Sequence, residues 1–102
     1  MTKFFVKWWA DSTRIPSLPQ EAMELRLNLI GMVKADLSSG KMTEWGTFGN
    51  GKDGYIIIDG TEQDVFSTML KYRPAVLFDV YPVLSADDYK AAAKKAAEAM
   101  QA

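Results

Sequence analysis

Lys3 to Ala10 reads K-F-F-V-K-W-W-A, an aromatic and β-branched run with one lysine at its centre. A two-residue period places Phe4, Val6 and Trp8 on one face and Phe5, Lys7 and Trp9 on the other. The first face is wholly apolar and suits the side of a sheet covered by helices. The second is apolar but charged in the middle, which suits a sheet side that meets a second surface. The remaining segments are arranged around this strand.

Asp11 to Gln20 is polar and holds Pro16 and Pro19, so it reads as a connection carrying the chain over the sheet. Ser17 followed by Gln20, with Pro19 tolerated in a first turn, predicts a helix N-cap. In the helix that follows, Ala22, Leu25, Leu29, Met32 or Val33, and Leu37 recur at three- and four-residue steps, and Ser38, Ser39 and Gly40 stop it. Lys41 to Phe48 predicts a second strand and G-N-G-K-D-G at 49–54 a turn. Tyr55 to Asp59, Y-I-I-I-D, predicts a third strand, its three isoleucines suiting burial on both faces. Thr61 with Asp64 opens a second helix bearing Val65, Phe66, Met69 and Leu70, closed by Arg73 and Pro74. Ala75 to Val83 is the last strand, with Val76, Phe78 and Val80 on one face and Leu77, Asp79 and Tyr81 on the other. Ser85 with Asp88 caps a terminal helix over 86–100, expected to dock through a thin stripe of Tyr89, Ala93, Ala96 and Met100.

The order strand, helix, strand, strand, helix, strand is the split βαβ, ferredoxin-like α+β pattern. Right-handed crossovers put both main helices on one face of a four-stranded antiparallel sheet of order 4-1-3-2, with an extra C-terminal helix. At 102 residues the chain, 1–102, is expected to form a single domain with one core. A net charge of -1 with scattered basic residues lacks the footprint of a nucleic-acid binder. With neither cysteine nor histidine, the chain lacks the commonest zinc ligands, the usual haem ligand, thiolate nucleophiles and the commonest general base near neutral pH. No cofactor and no metal are expected. No run approaches the ~18 apolar residues of a membrane span, and the N-terminal run is unlike a signal peptide, so no membrane partner and a cytoplasmic location are expected.

The bare sheet face is expected to show Phe5, Lys7 and Trp9 beside Leu77, Asp79 and Tyr81, an apolar patch too large for a soluble monomer to leave uncovered. A homodimer through that open face is the expected remedy, two sheets closing into a barrel. The run F-F-V-K-W at 4–8, W-G-T-F-G-N-G-K-D-G-Y-I-I-I-D-G at 45–60 and K-Y-R-P-A-V-L-F-D-V-Y-P-V-L-S at 71–85 resembles the muconolactone isomerase-like group of dimeric α/β-barrel proteins. The closest resemblance is to small bacterial members without an assigned activity. It implies the ferredoxin-like fold, a homodimeric barrel, and the group's chemistry on small aromatic or lactone molecules, which includes cofactor-independent isomerases, monooxygenases and haem-dependent members. Lacking histidine, the chain departs from the histidine-ligated haem members and from relatives with a histidine and aspartate pair. No catalytic residue carries over one to one.

Lys7 and Asp79 are expected on adjacent strands of the bare face. In a partly dry barrel they form either a proton-transfer pair acting beside a carbonyl or a structural ion pair that neutralises a buried charge. Tyr55, on a face with Ile57 and Asp59, Tyr81, and Glu44, on a face with Met42 and Phe48, add a hydrogen-bond donor and a second acid, unless a bulge at Gly46 reverses the parity of the second strand; the alternatives are tyrosines that pack with their hydroxyls at a wet rim and an edge-strand charge that discourages aggregation. Phe5, Trp9 and Leu77 complete a site for a small apolar or aromatic ligand, whereas Trp8 is expected in the core. Gly49, Gly51 and Gly54 match G-x-G-x-x-G, but the segment opens a strand rather than a helix and reads as a hairpin loop. Arg73 is explained by a helix C-terminus, and Asp53, Asp59, Glu62 and Asp64 fit no calcium loop. Two functions follow: a homodimeric barrel protein that binds a small apolar or aromatic molecule between sheet and helices, with cofactor-free isomerase-like chemistry as its candidate activity, or a non-catalytic assembly module whose sheet face is filled by its partner and whose alanine-rich tail helix makes further contacts.

Overall fold

The central strand β1 (Thr2–Ala10) pairs antiparallel with β3 (Asp53–Gly60) on one side and β4 (Val76–Val83) on the other, and the short β2 (Glu44–Thr47) extends the sheet beyond β3. A computed structural model describes residues 2–101. The order β2-β3-β1-β4 is the expected 4-1-3-2 read from the other edge. Helices α1 (Pro19–Ser39) and α2 (Glu62–Leu70) follow β1 and β3, and α3 (Ala86–Gln101) follows β4. Val33 of α1 and Val65 and Met69 of α2 join Phe4, Val6, Trp8, Ile56 and Ile58 in one core cluster, so both helices cover the same sheet face. The fold is α+β with an open antiparallel sheet, compatible with the ferredoxin-like pattern.

The parity of β1 is as expected. Phe4, Val6 and Trp8 are buried, Phe5 and Trp9 half-buried, and Lys7 exposed. Ile57 departs from expectation: with no layer over the second face it is only partly buried, while Ile56 and Ile58 are in the core.

Helix α1 starts at Pro19, so the N-cap is Leu18, in extended conformation and without a side-chain cap bond; Ser17 falls one residue outside. Gly40 ends the helix in the left-handed region (φ 82°), a conformation that costs glycine little. Near that end the expected stripe shifts by one residue: Leu37 is 37% exposed and Asp36 only 3%. Strand β2 is shorter than expected because Met42 turns into the core, its N–H donating to Asp36 O at 3.1 Å. Its register with β3 is regular, with Glu44 opposite Ile57 and Gly46 opposite Tyr55, so there is no bulge at Gly46. Glu44 therefore lies on the open face, but Met42 does not share it.

Helix α2 opens with a complete capping box. The Asp64 N–H donates to Thr61 Oγ1 at 3.1 Å and the Thr61 N–H to Asp64 Oδ2 at 2.9 Å. These bonds hold the Asp64 carboxyl below its ordinary pKa. A depressed folded-state pKa contributes stability above the unfolded value, lost as pH falls through the folded one. In urea titrations from pH 7 to pH 2, Asp64→Asn is expected to flatten that acid limb. Thr61→Ala is expected to lower stability by about 1 kcal/mol at neutral pH.

Helix α3 is capped as expected, the Asp88 N–H meeting Ser85 Oγ at 3.0 Å. The expected docking of Tyr89, Ala93, Ala96 and Met100 does not occur within one chain. Every described residue of α3 is exposed, and the helix projects from the body, giving a longest dimension of 64 Å against 26 and 23 Å.

Candidate functional site

The eight residues singled out from the sequence gather on the open face. Lys7 stands between Asp79 on β4 and Tyr55 on β3, Trp9 faces Leu77, and Phe5 faces Tyr81. The Phe5 and Tyr55 rings are nearly parallel, 3° apart with centroids at 6.2 Å, and Tyr81 leans on Phe5 at 6.4 Å. Phe48 extends the row by stacking on Tyr55 at 6.4 Å. The Tyr55 hydroxyl donates to Glu44 Oε2, and that bond to a carboxylate pushes the phenol pKa up. Lys7 and Asp79 share the face and are both exposed, but their charged ends do not meet; the ion pair among the described residues is Lys71 with Asp36.

The opposite face holds the apolar cavity, between α1 and the sheet. It measures about 330 Å³, within the range of small-molecule sites. None of the eight residues lines it. Trp8 and Trp45 form its floor, stacked at 5.6 Å and 12°, with Trp8 Nε1–H donating to Gly46 O at 3.2 Å. Gly54 makes this possible: a Cβ there would stand 2.7 Å from Trp8 Cζ2. Leu29, Ile30 and Val33 of α1 form the roof, and Leu27 is exposed at the edge. Two cationic residues, Arg26 and Lys52, line the cavity, and no carboxylate does. The sequence marked Trp8 as core. Parity alone does not reveal that α1 stands off far enough to leave space above it.

A second grouping was not foreseen. The buried Asp36 carboxylate accepts from the Tyr72 hydroxyl at 2.6 Å and from Lys71 Nζ, tying the end of α1 to the segment after α2. Lys71 also lies 5.7 Å from the Tyr72 ring centroid. Burial first, and the Asp36 bond second, push the Tyr72 phenol far above its ordinary pKa. The visible signal was a carboxylate four residues beyond Met32 and three beyond Val33, on the apolar stripe of α1. Tyr72 also lines the cavity, so the polar network braces one of its walls.

Among the described residues no three His, Cys, Asp or Glu side chains are placed to hold a metal ion, and no helix is long and apolar enough to cross a membrane. Comparison of the sequence with protein-family models and with curated proteins gave no match.

Proposed function

We propose that the chain works as a homodimer that binds a small apolar or aromatic molecule between its helices and sheet, the two open faces packing on each other as a dimeric α/β barrel. The observation that carries the reading is the cavity of about 330 Å³ under α1, walled almost wholly by apolar side chains. Dimerisation is supported by the row of Phe48, Tyr55, Phe5 and Tyr81 on the other side, with Tyr81 50% exposed in the single chain. A sheet face of this kind is normally covered. Lys7 and Asp79 belong to that face and not to the cavity, which favours binding over proton transfer. The alternative, an assembly module without a ligand, is favoured by one feature, the unpartnered apolar stripe of α3.

Light scattering is expected to give about twice the 11.4 kDa chain mass, and Leu77→Lys to halve it. Titration in turn with octan-1-ol, octanoate and benzyl alcohol is expected to change tryptophan fluorescence saturably, with the response kept in Trp9→Phe and reduced in Trp45→Phe. A dimer that responds to none of the three supports the assembly module instead. A monodisperse single subunit overturns the dimer.

A further inference from the structure

We infer that the ligand of the cavity is an amphipathic anion, an apolar body ending in a carboxylate or similar acid group. The inference rests on the ligand-binding reading above and names the class of molecule that reading leaves open.

Its basis is the asymmetry of charge around the cavity. The floor and roof, from Trp8 and Trp45 to Ile30 and Val33, offer apolar surface and aromatic faces. The charged residues of the lining are Arg26, on α1, and Lys52, in the β2–β3 turn, and neither is held by an ion pair among the described residues. Arg26 is itself an exposed residue of α1, so its guanidinium is within reach of solvent at the edge of the apolar space. Lys52 is anchored from the other side: its backbone N–H donates to Asn50 Oδ1 at 2.9 Å, and its carbonyl accepts from the Ala10 N–H at 2.8 Å. That fixes the backbone from which the ammonium extends. The two cations thus come from opposite walls, one from the helix and one from the hairpin, around an interior without a competing carboxylate. A neutral apolar ligand would leave both charges unused. An acid group at the mouth would be met by a planar fork and a point charge while its body displaced water from the tryptophan floor.

The test pairs two probes of equal length, octanoate and octan-1-ol, by isothermal titration calorimetry at pH 7.5 and low salt. Octanoate is expected to bind about 5- to 10-fold more tightly than the alcohol, the difference shrinking as salt screens the exposed cations. Arg26→Gln combined with Lys52→Gln is expected to erase the preference by weakening octanoate about 5- to 10-fold more than octan-1-ol. Both positions are exposed, and an unchanged urea midpoint confirms that the variant is folded. Equal affinity for the two probes, or a preference for octanoate that survives the double substitution, overturns the inference and leaves the cavity reading standing. Binding of neither octyl probe overturns the inference, and the cavity reading falls with it only when benzyl alcohol also fails to bind.

Discussion

Asp36→Ala is expected to lower the unfolding free energy by about 3 kcal/mol, measured by urea denaturation at pH 7. The carboxylate is 3% exposed and accepts from two donors that arrive from the segment after α2. Its removal strands the Tyr72 hydroxyl, which is buried, and releases Lys71, whose side chain is 37% exposed and returns to water at little cost. Most of the loss is therefore assigned to the tyrosine. Tyr72→Phe should cost less than Asp36→Ala, because Lys71 still neutralises the acid, whereas Lys71→Met leaves a buried carboxylate without its counter-charge and should cost more than Tyr72→Phe. A double-mutant cycle between positions 36 and 72 should show strong coupling, since the two groups share one bond. The same bond has an alkaline signature. Because the folded-state pKa of Tyr72 is raised, its contribution is fully present below the unfolded value of about 10 and declines as pH rises beyond it. Tyr72→Phe should flatten that limb; an alkaline limb as steep as in the unaltered protein would remove Tyr72 as its source.

Gly54→Ala is expected to destabilise by a similar amount, about 3 kcal/mol, through overpacking. The added methyl would stand 2.1 Å from Gly46 O and 2.7 Å from Trp8 Cζ2, so both β2 and the Trp8 ring, stacked on Trp45, must give way. These movements open the cavity floor, and the near-ultraviolet circular dichroism of the paired indoles should weaken along with stability. Gly31 gives the contrasting case. It lies exposed in the middle of α1 with nothing within 4 Å of a Cβ, and alanine there should stabilise by about 0.5–1 kcal/mol. Opposite signs for the same chemical change separate crowding from helix propensity. A Gly54→Ala protein as stable as its parent would show that β2 and the Trp8 ring yield without cost.

The parity of β1 and β4 and the caps at Thr61 and Ser85 were legible in the residues, because each depends on a local period or on a bond between neighbours in sequence, and the strand order followed from the order of elements and the right-handedness of crossovers. What depends on the distance between layers was not. Trp8 was correctly placed in the core, yet the space above it follows from how far α1 stands from the sheet. The same limit hid Asp36: a stripe read for apolar residues passes over the one acid that lies on it, and its donors are 35 and 36 positions away. Ile57 was assigned a buried place because a run of isoleucines does not say which face lacks a cover. Helix α3 was given a docking stripe from its pattern, and within one chain that stripe meets nothing.

The isolation of α3 divides the polypeptide into two parts of unequal thermodynamic depth. A helix of 16 residues, about 24 Å long, is near the lower limit for persistence in water on its own hydrogen bonds. Its support among the described residues therefore comes from its alanines, the Ser85 bond at its start and Asp87 and Asp88 in its first turn. Amide protons along it can exchange by local fraying, without any opening of the sheet, so temperature or added cosolvent can tune the tail while the body stays as it is.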